Sequence, residues 1–460
     1  MASALAQRVA IAVPAALLAL GIAYSSAQSP LATAAGLAAV LLAVAIVSQP
    51  LALLLLLVAA LPWEGLLGFP TETVTVAKLL GLLVFVSVAI SVVSGERRLR
   101  APSTGVAVTI LALAVGISLT LSPDPAAGVA KTLSYLLFIA FFFAVVQLVD
   151  DRRDLVRILR VITLSVTAAG CWGLAAFLSG EEARAAGPIE DPNDFGYLMA
   201  ATLPMALYLA VGRTPDRWLW RACVPILLAA MLATFSRGVL VALAAAAVWA
   251  IATRRIRLGG LAATAAAIVA VLAAGLLLFG SLIGERVEQK ESIASENVSS
   301  RQALWRGAVA MTADRPLVGV GPGRFGVESV DYVRDDPIAL RDPVVHNSYL
   351  EILAETGPVA LAAFVAFIAG TWLSLSRLGR GRRAAGDVDG RKLVTALQAS
   401  LLIAIVGALF LSQQLAAPFW LVGALAGAAP WALAGAADRP AGRASPAGAG
   451  RRAEPGPAIG

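Results

Sequence analysis

Histidine occurs once in the 460 residues, at His346, and cysteine twice, at Cys171 and Cys223. The two cysteines are far apart and lie in or beside apolar runs, where they read as small core residues. Neither has metal-ligand spacing, no second histidine accompanies His346, and no carboxylate cluster has ligand spacing. A metal site is therefore not expected, and no cofactor is expected either. Charge is scarce as well: 14% of residues are charged against 59% hydrophobic. That is too apolar for a soluble protein of this length, and no soluble domain of any size is present. The net charge of +7 is no sign of nucleic-acid binding, because the basic residues sit in short loops between apolar runs. Positive charge placed there fixes membrane orientation.

What the chain has instead is apolar helix. About fourteen segments reach or approach spanning length: roughly 9–25, 31–48, 51–62, 76–94, 104–121, 132–149, 158–178, 196–212, 219–235, 238–253, 260–282, 358–375, 393–411 and 417–435. The expected fold is an all-α polytopic membrane helix bundle of about 12–14 transmembrane helices. Segment 51–62 is short for a span, and Trp63 and Phe69 are candidate interfacial anchors for it. The first segment reads as a retained helix, because its loss would spoil the charge alternation that follows.

With the N-terminus placed in the cytoplasm, the cytoplasmic loops collect Arg97, Arg98, Arg100, Arg152, Arg153, Arg157, Arg213, Arg217, Arg254, Arg255, Arg257 and the basic run from Arg377 to Lys392. The outer loops are then 26–30, 63–75, 122–131, 179–195, 235–238, 283–357 and 412–416. Outside the long one they hold only Lys131, Arg184 and Arg237. Both termini are expected on the cytoplasmic side of the membrane. The chain divides into N-terminal transmembrane helices (1–186), a central region (187–375) that includes an extracytoplasmic loop (284–345), C-terminal transmembrane helices (376–435) and a Pro/Gly/Ala-rich tail (436–460), expected to be disordered.

The stretch from Arg301 to Gly357 is where chemistry is expected. The loop from Gly284 to Val345 carries eight basic and ten acidic residues, a sum of −2. It is no polybasic patch, and particular arginines matter only through their placement. Ser299-Ser300 followed by Arg301, Leu304 and Trp305 reads as a capped amphipathic helix lying on the roof of the bundle. The run Gly321-Pro322-Gly323-Arg324-Phe325-Gly326 formally matches GxGxxG. It lacks the strand that a dinucleotide fingerprint requires, and reads as a tight turn or an amide nest. Arg237 sits at the outer end of two apolar runs joined with almost no loop. It either snorkels to headgroups or meets an anion there. His346 is either structural or a base. Asn347 after it is a plausible N-cap, Tyr349, Leu350 and Leu353 form an apolar helical face, and Gly357-Pro358 ends that helix. A helix N-terminus disfavours imidazolium and leaves a neutral histidine able to take a proton. Asp191-Pro192-Asn193-Asp194 reads as a turn capping the next helix.

As an ordered set these residues resemble the bacterial O-antigen ligases and the related O-antigen polymerases. The resemblance spans roughly 187–372. It rests on Pro192-Asn193, Ser236-Arg237-Gly238, Arg301 with Trp305, the run Asp314-Arg315-Pro316-Leu317-Val318-Gly319-Val320-Gly321-Pro322-Gly323, and His346-Asn347-Ser348 leading to Glu355-Thr356-Gly357. It implies a GT-C-like, metal-independent, inverting glycosyltransferase whose site faces the periplasm or exterior. The donor would be a glycan on undecaprenyl diphosphate. The acceptor would be a glycan or glycolipid, lipid A-core in a ligase or another lipid-linked repeat in a polymerase. Arg237 and Arg301 would hold the donor diphosphate and His346 would activate the acceptor hydroxyl. Asn193, Trp305, Asn347, Gly321 and Gly323 would line the substrate. The expected partners are these two substrates and membrane lipids, with no nucleic acid. A flippase or other transporter is the rival of another class. Transporters tend to show internal repeats and polar groups at mid-membrane, and neither is evident here.

Overall fold

The computed structural model describes residues 49–65, 75–189, 191–212, 214–255, 299–334, 336, 339–340 and 343–434. The segments expected at 9–25, 31–48 and 260–282, Phe69, and the tail 436–460 lie outside the described residues. Apart from a one-residue bridge at Thr75, all regular structure among the described residues is helical.

In chain order the helices are α1 (Pro50–Ala60), α2 (Val76–Val93), α3 (Gly105–Leu121), α4 (Pro125–Leu148), α5 (Arg152–Leu178), α6 (Pro192–Val211), α7 (Arg217–Ala233), α8 (Arg237–Ala252), α9 (299–314), the single turn α10 (Phe325–Glu328), α11 (Ser348–Ala384), α12 (Val388–Gly407) and α13 (Ala417–Ala432). Six of them are long and apolar enough to cross a bilayer: α2, α4, α5, α6, α11 and α12. The shorter apolar helices are Pro50–Trp63, Gly105–Leu121, Arg237–Ala252 and Ala417–Ala432. The chain is a multi-pass membrane protein.

Several helices begin earlier than their apolar cores. Helix α4 starts at Pro125 because the Asp124 side chain accepts the Ala127 amide. Helix α5 starts at Arg152 because Asp151 caps Asp154. A carboxylate at the N-cap satisfies an orphan amide wherever it falls, so the cap and not the hydropathy sets the first turn. Asp191 does the same for α6, accepting from the Asn193 and Asp194 amides, as the turn reading of that stretch expects. Helix α1 has 11 residues, about 16 Å at 1.5 Å per residue, half of what a span needs. The Trp63 indole donates to Ser165 Oγ at 2.8 Å, and its ring meets Trp172 edge-on, so the side chain packs on α5 with its N–H satisfied.

Lipid supplies little hydrophobic drive between helices, so close packing and small residues hold them. The core shows this. Phe367 of α11 stacks on Trp420 of α13 with centroids 5.3 Å apart and meets Phe142 of α4 edge-on. A Cβ at Gly423 would run into the Phe367 ring, and one at Gly427 would press on Val146. Leu82, Phe85, Leu113, Ile117, Leu133 and Val248 face outward, as an apolar solvent allows.

The two ends of the bundle sort as the charge alternation expects. At one end Arg97 and Arg100 meet Asp150, Arg152 meets Asp389 at 2.6 Å, Arg255 reaches Thr395 and Arg382 caps the Leu433 carbonyl. At the other end lie the turns 122–124, 184–194, 234–237, 318–324, 346–348 and 408–414, bound to one another.

Candidate active site

Helix α9 carries Leu304, Ala308 and Met311 on one face, all buried. They join Val320, Phe325, Val333, Val345 and Ala354 in a small apolar cluster apart from the main core. The amphipathic reading of this segment holds, but its apolar side packs largely on the loop's own residues. The loop is thereby a folded cap with its own core. Arg301 and Trp305, one helical turn apart, leave α9 on one side. Arg301 Nη1 donates to the Phe410 carbonyl at 3.4 Å, and Trp305 Nε1 donates to the Val345 carbonyl at 2.9 Å. The second bond pins the residue directly before His346.

His346 is half-buried and has φ +49. A left-handed non-glycine residue costs about 1–2 kcal/mol and persists only where its surroundings hold it. Here they do so from both sides. Trp305 holds Val345. Asn347 caps α11, its side chain accepting from the Tyr349 and Leu350 amides at 3.1 Å. The Ser348 amide donates to the carbonyls of Ala408 and Leu411, and its hydroxyl to Leu411 at 2.8 Å. The helix that Asn347 opens ends at Gly357, whose φ of +81 and ψ of 176 break α11 in two. The segment 348–356 is thus a short helix leading into the long span, as its flanking residues predict.

Arg237 opens α8 after a turn of three residues, Thr234 to Ser236, in which Phe235 is also left-handed at φ +50. Its side chain is exposed, and among the described residues no hydrogen bond or ion pair joins it to the protein. Gly238, one residue on, packs against the Phe410 ring and Cβ. The turn 408–411 between α12 and α13 is therefore where the pieces meet. Arg301 binds its carbonyl at 410, the start of α8 packs on its side chain, and the residues after His346 bind its carbonyls at 408 and 411. Sequence reasoning passed over this turn because it carries no charge.

Two more basic residues enter the same end. Arg184 Nε donates to the Thr234 carbonyl and Nη2 to Asn193 Oδ1, each at 2.8 Å. Asn193 faces this guanidinium and links α6 to the turn before Arg237. Burial holds the Arg184 pKa below its ordinary range; Asp191 opposes that, and nearby Arg301 adds to it. Lys131 on α4 meets Glu351 and, at 2.7 Å, Glu355, both on the 348–356 helix. Arg184, Lys131 and Arg237 are the three basic residues that break the charge sorting in the short loops. That exception was the available signal for the first two.

Gly321 and Gly323 lie on a different side. The Val320 and Gly321 amides donate to the Ala354 and Glu355 carbonyls at 2.9 Å, and the Phe325 amide donates to Glu355 Oε1 at 3.2 Å. Gly323 packs on Lys131. The glycine-rich turn is an amide cradle, and the carboxylate it holds in this structure is Glu355 of the protein itself.

Three helix N-termini (α6, α8 and α11) thus open at one end, with Arg184, Arg237 and Arg301 among them and His346 beside them. Aligned N–H groups and guanidinium forks suit an anion with several oxygens. A cation at the first residue of a helix, as at Arg237, is placed against the helix dipole by about 0.3–1 kcal/mol unless an anion comes with it.

No curated protein matches the chain. Residues 222–365 match the family described as O-antigen ligase. That match takes in Arg237, Arg301, Trp305, His346 and the glycine-rich turn, and leaves Asn193, Arg184 and Lys131 outside it. Through this region, with its arginines and histidine gathered at one end of a membrane helix bundle, the chain is similar to the O-antigen ligase family over about a third of its length.

Proposed function

We propose that the protein is a glycosyltransferase that moves a glycan from undecaprenyl diphosphate to a sugar hydroxyl at the extracytoplasmic face of the bacterial inner membrane. The observation that carries this reading is that Arg301, Gly238 next to Arg237, and Ser348 two residues after His346 all meet the turn 408–411. Arg237, Arg301 and, beside them, Arg184 take the donor diphosphate. Their charge stabilises the negative charge that builds on the leaving diphosphate as the anomeric bond breaks. His346, neutral before a helix N-terminus, takes the proton of the attacking hydroxyl. Attack on the anomeric carbon from the face opposite the diphosphate inverts its configuration. Asn193 sets Arg184, Trp305 and Asn347 set His346, and the turn with Gly321 and Gly323 holds the 348–356 helix through Glu355.

The acceptor separates two readings: lipid A-core or a similar glycolipid for a ligase, a second lipid-linked repeat for a polymerase. A deletion strain distinguishes them. Loss of all long glycan from the acceptor, with lipid-linked chains accumulating, marks a ligase. Single repeats left on the acceptor mark a polymerase. The transporter reading predicts flux of labelled lipid-linked glycan into proteoliposomes without glycosyl transfer. The gathering of polar groups at one end, rather than at mid-membrane, favours the enzyme.

A further inference from the structure

Lys131, Glu351 and Glu355 have no part in the reaction just described, yet they form the most deeply buried charged cluster among the described residues. Glu355 is 1% exposed and Glu351 7%. The Lys131 ammonium bridges the two carboxylates, which stand one helical turn apart on the 348–356 helix. Glu355 also accepts the Phe325 amide, so one cation ties span α4, the short helix and the glycine-rich turn together. Buried ion pairs of this kind seldom stabilise a fold, because desolvation offsets the attraction. Their use is to fix one arrangement among several. Around the cluster the Ser412 and Gln414 side chains reach Glu351, and Gln414 also meets Tyr135, so polar side chains surround the ion pair.

The 348–356 helix is the one whose N-cap follows His346. Its far end is held by Gly319 and Gly357, where any Cβ would overlap the facing backbone. Its near end is held by the Ser348 bonds to the 408–411 turn. Its middle is held by Lys131. We propose that Lys131 is a positioning residue, clamping the 348–356 helix from span α4 so that His346 keeps its left-handed place beside Arg301. The inference rests on the reading of His346 as the reacting base for its functional meaning, but the clamp itself is testable without any glycan.

The chain has a single histidine, so full-length protein labelled at histidine and tryptophan, carrying a histidine-free affinity tag and held in nanodiscs, gives one set of imidazole NMR signals beside the indole signals. Lys131→Met and the milder Glu351→Gln are compared with the parent. The indole signal of Trp218, exposed at the opposite end and assigned with Trp218→Phe, serves as the control. The clamp predicts that His346 signals shift or split in both variants while Trp218 does not move. It also predicts that glycan transfer in cells falls at least tenfold while binding of undecaprenyl diphosphate is unchanged. Unchanged His346 signals in both variants overturn the proposal, and so does a disturbance shared equally by Trp218. If instead the parent chain transfers no glycan, the proposed reaction fails and the clamp stands or falls on the imidazole signals alone.

Discussion

At the residue scale the account depends on three side chains that sequence separates by more than a hundred positions. Replacing His346 by alanine removes the proposed base and should cost about 10²–10⁴-fold in transfer rate. Arg301→Ala and Arg237→Ala each remove charge that stabilises the leaving diphosphate and should cost about 10²–10³-fold. In all three the protein should still accumulate in the membrane, which a blot of the membrane fraction checks. Trp305→Phe keeps the ring and loses only the bond to the Val345 carbonyl. One hydrogen bond of about 1 kcal/mol predicts a loss of roughly fivefold in rate, with donor binding intact. Wild-type rates in Trp305→Phe would show that His346 is held without it. Much of this was legible in the sequence, because the chain has a single histidine and arginines are rare in the short loops expected outside. Arg184 and Lys131 were visible only as exceptions to the charge sorting. Their partners Asn193, Thr234, Glu351 and Glu355 come into view only once the helices are packed: Lys131 and Glu351 are 220 positions apart.

At the element scale, the caps and breaks decide where the site sits. Asn347 and Asp191 were readable as N-caps because an Asn or Asp before an apolar helical face has one strong local use. Gly357 was readable as a stop for the same kind of reason. The contact that makes Gly357 necessary was not, since a Cβ there would strike the Leu317 carbonyl of the glycine-rich run. Gly357→Ala combines a left-handed backbone with that overlap. It should destabilise the chain by at least 1–2 kcal/mol, seen as a lower thermal midpoint of the detergent-solubilised protein. An unchanged midpoint would mean that the break at Gly357 is not strained. Hydropathy misjudged the starts of α4 and α5 because it registers apolar cores and is blind to capping carboxylates outside them.

At the scale of the whole molecule, the sorting of charge in sequence and the sorting of loops in space agree. Among the described residues, the loops expected outside meet at the site end, and those rich in arginine meet at the other. Orientation then follows as a prediction from the positive-inside rule. In a background with Cys171 and Cys223 replaced, Glu181→Cys should react with a membrane-impermeant thiol reagent in intact spheroplasts, and Arg98→Cys only after permeabilisation. The reverse pattern would put the site in the cytoplasm and remove the proposed donor and acceptor together. The 408–411 turn belongs to this scale too. It has no chemical signature of its own, and its importance comes from what three distant segments do around it.

The most direct measurement is the glycan profile of a strain lacking this chain, complemented with the parent or with His346→Ala at equal membrane abundance. The account predicts that the parent restores long glycan on the acceptor and that His346→Ala leaves the glycan on its lipid carrier. Full restoration by His346→Ala would contradict it.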